Sequence, residues 1–119
     1  MKILVVDDEP EVAEVIAESV RIQGHETVIA RDGQEALDIL GAFTPDAVFL
    51  DLVMPGLSGL DVLQRIRQKH EALPVIIISG RATAAQVAEA KRLGVTDVVE
   101  KPFALKHLSE ALTDLKRHV

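Results

Sequence analysis

With 119 residues, 48% hydrophobic and only three aromatic, the chain is long enough for one domain with a core of Val, Ile, Leu and Ala, burying roughly two-thirds of its extended-chain surface. The absence of cysteine excludes disulfides and thiolate-bound zinc and suits a reducing cytoplasm, and no apolar stretch is long enough for a signal peptide or a membrane span. A net charge of −6 without a basic face argues against direct nucleic-acid binding, because neutralising phosphates needs clustered cations.

Taken in order, Lys2 to Val6 is a continuous β-branched and aliphatic run, as expected of a strand buried on both faces. Pro10 starts a helix, with Val12, Val15, Ile16 and Val20 at helical spacing and Gly24 as its stop. His25 to Ala30 is the second strand; Asp32 and Glu35 then form a capping-box pattern into a short helix with Ala36, Leu37 and Leu40 inward and Gly41 just beyond it. Asp46 to Leu50 is the third strand and runs into Asp51, followed by Leu52, Val53, Met54, Pro55 and Gly56. Ser58 and Asp61 open another helix with Leu60, Leu63 and Ile66 as its stripe, and Val75 to Ile78 is a fourth strand that fits only mid-sheet. Thr83 and Gln86 open a helix that ends at Gly94, Asp97 to Glu100 is a weaker edge strand, and Leu105, Leu108, Leu112 and Leu115 mark a last helix.

This strand-helix alternation predicts an α/β fold over residues 1–119: a single doubly wound, five-stranded parallel sheet with helices on both faces. The natural closure is the flavodoxin-like order 2-1-3-4-5, with half of a Rossmann fold as the alternative. In the first order, strands one and three meet at the switch point. Asp7, Asp8 and Asp51 then share a crevice, and Ser79 and Lys101 approach from one side.

Three carboxylates within about 4–6 Å repel by about 1–4 kcal/mol per pair, so they need a counter-charge. Mg2+ suits, since it takes one or two carboxylates, a carbonyl and waters. With Lys101 it would leave a neutral crevice able to accept a phosphoryl group, and Ser79, followed by the unobstructive Gly80, offers a hydroxyl. A carboxylate nucleophile, a metal, an ammonium and a hydroxyl are the parts needed for phosphoryl transfer to aspartate. The bland alternatives are an Asp-Asp pair that merely caps a helix, a solvated Lys101 and a capping Ser79; the four histidines lack metal-ligand spacing and read as surface residues.

Asp7-Asp8-Glu9, the segment from Asp51 through Met54-Pro55-Gly56 to Gly59, Ser79-Gly80, and Gly94 through Lys101-Pro102-Phe103 stand in an order that resembles the receiver domains of two-component response regulators, CheY-like proteins, over essentially the whole chain. The resemblance implies that Asp51 accepts a phosphoryl group from a sensor histidine kinase, a phosphotransfer protein or a small phosphodonor. It implies that Asp8, Asp51 and the Val53 carbonyl bind Mg2+ directly and Asp7 through water, that Lys101 and Ser79 contact the phosphoryl oxygens, and that Lys101-Pro102 is a cis peptide. Phosphorylation would switch the face of the fourth helix, fifth strand and fifth helix for a downstream effector or output domain, in the cytoplasm and without enzymatic turnover.

Three departures stand out. Val98 occupies the place of the family's switch aromatic three residues before the lysine, Val53 that of the polar side chain often found two residues after the aspartate, and Arg81 follows Ser79 at the same interval. In the winged-helix subfamily an ion-pair network couples two receivers through that face; the matching positions are His107 and Ala111, so a monomer or weak apolar dimer is expected. Two rival functions remain at this level. An aspartate-based phosphatase or phosphotransferase lacks its second carboxylate, because Val53 stands there, and a flavin-binding module lacks the flanking aromatics, there being no Trp or Tyr.

Overall fold

The computed structural model describes residues 1–101 and Glu110. The expected last helix, the Lys101-Pro102 peptide, His107 and Ala111 lie outside the described residues. In chain order the elements are β1 (Lys2–Val6), α1 (Pro10–Ile22), β2 (Glu26–Ala30), α2 (Gly33–Ala42), β3 (Ala47–Asp51), α3 (Gly59–Lys69), β4 (Val75–Ser79), α4 (Ala84–Arg92) and β5 (Asp97–Glu100). The strands form one parallel sheet in the order β2-β1-β3-β4-β5. This is the flavodoxin-like arrangement. Among the described residues no helix is long and apolar enough to cross a membrane.

Why these segments form these elements is mostly local chemistry. α3 and α4 each begin with a complete capping box, Ser58 with Asp61 and Thr83 with Gln86, which satisfies amide donors that would otherwise lack partners. At α2 only half of the expected box forms, Asp32 accepting from the Glu35 amide, and Gly41 lies inside that helix rather than beyond it. α1 has no side-chain cap, but its first residue is Pro10, whose missing N–H costs nothing there.

The sheet divides two apolar clusters, and the period-two alternation of strand side chains sorts residues between them. Ile3, Val5, Phe49, Ile76 and Ile78 pack with Ala13, Ile16 and Val20 of α1. Leu4, Val6, Leu50, Val75 and Ile77 pack with Ala36 of α2, Val62 and Ile66 of α3, and Ala90 of α4. The structure corrects one inward assignment. Val15 is 45% exposed, and Ala13 and Ala17 complete the buried stripe of α1 instead. Two alanines let the helix approach the sheet closely.

Candidate functional site

Parallel strands end together, and the register fixes which residues meet. Val6 pairs with Leu50, so Asp7, one residue past β1, comes level with Asp51, the last residue of β3. Asp51 pairs with Ile78, and Ser79 with Glu100, which sets Lys101 just past the same edge. The loop after Asp51 is pinned at both ends. Leu52 and Met54 are buried in the core, and the Gly59 amide donates to the Leu52 carbonyl at 2.9 Å. At Gly59 any Cβ would lie 1.8 Å from the Asp51 carbonyl oxygen, so the start of α3 can press on the strand end only if that residue is glycine.

Five of the side chains singled out from the sequence, those of Asp7, Asp8, Asp51, Ser79 and Lys101, come to this edge. Asp7 is fully buried, Asp51 and Ser79 nearly so, and Asp8 is half-buried. Lys101 Nζ lies 3.0 Å from Asp7 Oδ2, 3.2 Å from Asp51 Oδ2 and 2.8 Å from Glu9 Oε1. Its aliphatic stem runs over Gly80, where a Cβ would meet it at 3.0 Å. The Lys101 amide donates to the Ser79 carbonyl. Asp51 Oδ1 accepts from the Val53 amide at 3.2 Å, and Asp7 Oδ1 from the Glu9 amide at 2.9 Å.

Two residues join the site that the sequence reading had not placed there in these roles. Glu9 turns back toward Lys101, so one ligand atom from each of Asp7, Asp8, Glu9 and Asp51 falls within a set spanning no more than 4.8 Å. Arg81 Nη2 donates to the Val53 carbonyl at 3.0 Å and stands 3.7 Å from Asp8 Oδ1. Glu9 had a signal, its place in the Asp-Asp-Glu run. The Arg81 contact had none beyond its interval from Ser79.

The charges shape one another. Burial pushes the Asp51 carboxyl up from 3.8 to about 6, against the lowering by the Lys101 charge and the Val53 amide bond. Burial pulls Lys101 down, but hydrogen bonds to Glu9 and Asp7 and the charges of Asp51 and Asp7 outweigh it, so its pKa lies above the ordinary lysine value. The same bond to Lys101 holds Glu9 below the usual carboxylate range.

Among the described residues, four carboxylates face two cations, Lys101 and Arg81, which leaves two negative charges uncompensated there. Asp8 Oδ1 is buried and has no hydrogen-bond partner. An all-oxygen donor set of this kind, with a carbonyl beside it, fits a hard divalent cation such as Mg2+. An open cleft of about 690 Å3, bordered by Asp8, Glu9, Val12, Val15, Arg81 and Lys101, gives access from solvent.

Comparison with known proteins agrees with this geometry. The profile of the family described as response regulator receiver domain matches residues 3–113. The response regulator MprA of Mycolicibacterium vanbaalenii is 37% identical over 117 residues, which cover 98% of this chain and 51% of that protein. The chain thus spans about half the length of the curated relatives it matches. Among solved structures, the receiver domain of NtrX from Brucella abortus is 38% identical with a TM-score of 0.87, covering 96% of this chain and 98% of that one. The receiver domain of the Francisella response regulator 1452 is 30% identical with a TM-score of 0.86, covering 99% and 98%.

Proposed function

Because the chain belongs to the response regulator receiver domain family of two-component signalling, we propose that Asp51 is its phosphoacceptor and that the surrounding acids bind Mg2+. The observation that carries this reading is the convergence of Lys101 on Asp51 within a cluster of four acids, in which a buried Asp8 oxygen has no hydrogen bond.

In the transfer, an Asp51 carboxylate oxygen attacks the phosphorus of a phosphohistidine or of a small acyl phosphate. A P–O bond to Asp51 forms as the P–N or P–O bond of the donor breaks, and the electron pair leaves with the imidazole or carboxylate. With a pKa of about 6, Asp51 is about nine-tenths ionised at pH 7 yet more basic than an ordinary aspartate, which favours nucleophilic attack. The Val53 amide and Lys101 hold its two oxygens in place. Lys101 then has the transferred phosphoryl oxygens as anionic partners, with the Ser79 hydroxyl beside them at the strand end. Asp8, Asp51 and the Val53 carbonyl would hold the cation, with Asp7 behind them. Bound there, Mg2+ supplies positive charge to the phosphoryl oxygens.

The protein phosphorylates and dephosphorylates only itself and is not a turnover enzyme. Its donor is a cytoplasmic histidine kinase or phosphotransfer protein, and its target an effector protein or an output domain. That target reads the face around α4 and β5. Val98 in β5 packs half-buried against the core and has no ring to swing, so the switch runs through the backbone of the Gly80–Ala82 loop. The test is incubation with acetyl phosphate and Mg2+, then intact mass and peptide mapping. One hydroxylamine-labile phosphoryl group on Asp51 is expected, absent in Asp51→Asn and without divalent ion; labelling that survives either change overturns the assignment.

A further inference from the structure

The transfer chemistry leaves Arg81 at the crevice without a part. Arg81 reaches in from the loop between β4 and α4, its side chain 58% exposed, and among the described residues it contacts the Val53 carbonyl at 3.0 Å and stands 3.7 Å from Asp8 Oδ1. Lys101 meanwhile takes Asp7, Glu9 and Asp51. The two cations therefore divide the site, and Arg81 holds two of the three groups that the phosphotransfer reading gives to Mg2+, Asp8 and the Val53 carbonyl, while Lys101 holds the third, Asp51.

We propose that Arg81 is a tethered competitor for the divalent cation, holding the Val53 carbonyl and screening Asp8 in the metal-free protein and swinging out to solvent when the cation binds. This rests on the reading of Asp8 and Val53 as metal ligands. A guanidinium donating to a carbonyl and a dication coordinated by the same oxygen repel each other at such range, so occupancy is exclusive. The exchange is inexpensive because an exposed arginine on a flexible stem is held weakly. Arg81 thus sets the cation concentration at which the site fills, and it eases repulsion among the acids while the site waits. Without it, Asp8 would have no ion-pair partner among the described residues.

Calorimetric titration with Mg2+ alone, no phosphodonor present, tests this on the wild type and on Arg81→Ala, Arg81→Lys and Asp8→Asn. Arg81→Ala is expected to bind Mg2+ about three- to tenfold more tightly. Arg81→Lys should resemble Arg81→Ala rather than the wild type, since lysine keeps the charge but loses the planar fork that meets the carbonyl and Asp8 together. If Asp8→Asn removes binding while Arg81→Ala binds no better than the wild type, the competition is overturned and the metal site stands. If Arg81→Lys matches the wild type while Arg81→Ala binds more tightly, a through-space field replaces competition. If Mg2+ binds neither the wild type nor Arg81→Ala, or binds regardless of Asp8→Asn, the metal site itself fails and the competitor with it.

Discussion

Replacing Asp51 by Asn should stabilise the protein in the absence of metal, with a gain that depends on pH in a defined direction. The folded state holds the Asp51 proton more tightly than the unfolded chain, its pKa rising from 3.8 to about 6. A raised carboxyl contributes stability below its unfolded pKa and loses it as pH climbs through the folded value, so at neutral pH the ionised Asp51 is a standing penalty. Each unit is worth about 1.4 kcal/mol, which bounds the penalty at about 3 kcal/mol; with 2% exposure, solvent screens little of it. Asparagine keeps the shape and can still accept from the Val53 amide, while Lys101 retains Asp7 and Glu9. The expected gain at pH 7.5 is about 1–3 kcal/mol, or about 3–10 °C in Tm for a domain of this size. Far-UV circular dichroism during urea unfolding in a chelator reads it, there being no Trp or Tyr to follow by fluorescence. The gain of the variant over the wild type should shrink to about a third by pH 4.5 and approach zero only below the unfolded pKa of 3.8. Equal stability at pH 7.5, or a gain that persists unchanged in acid, would refute the account of Asp51 as a desolvated carboxylate.

Other substitutions probe the scaffold and the chemistry. Gly59→Ala should cost at least about 3 kcal/mol, because the new methyl meets backbone at 1.8 Å and α3 must move off the strand end; a melting temperature within about 4 °C of the wild type, about 1 kcal/mol, would contradict it. Arg67→Met should cost about 2–3 kcal/mol, since its guanidinium donates to the carbonyls of His70, Leu73, Leu93 and Gly94 and ties the end of α3 to the loop before β4 and to the end of α4. Urea midpoints decide that case, and an unchanged midpoint would mean that water replaces all those bonds. Val53→Asn should shorten the life of the acyl phosphate by at least about threefold, because a carboxamide there can orient the attacking water that valine cannot. Loss of label after removal of the donor measures it, and an unchanged rate would leave the side chain at that position without influence.

The strand order was legible because β1, β3 and β4 are short, almost wholly apolar runs that lead into a charged or turn residue, and such runs fit only the middle of a sheet covered on both faces. Helix starts were legible for similar reasons: Ser58-Asp61 and Thr83-Gln86 carry their chemistry within four consecutive positions. What failed was choice among apolar residues of one helix. Val15 outranks Ala13 and Ala17 in hydrophobicity, yet closeness to the sheet favours the smaller side chains, and that preference comes from the partner surface. At the site, Asp7, Asp51 and Lys101 were legible since strand ends are fixed by register. Glu9 in contact with Lys101, and Arg81 on the Val53 carbonyl, depend on how two loops turn. Arg67 was invisible for another reason: its partners are backbone carbonyls at element ends, which leave no trace in side-chain identity.

The reach of Lys101 has a consequence for local unfolding. β5 is an edge strand of four residues, the sort of element that frays first in a parallel sheet. Its end nevertheless sends an ammonium past β4 and β3 to Asp7 at the end of β1. Peeling β5 away would therefore strip the acid cluster of its main counter-charge, so opening the edge and exposing four crowded carboxylates to one another are a single event. The sheet margin is fastened from its centre. Any group that gives Lys101 a different anion to hold, or relieves the acids of their need for it, resets how readily that margin opens.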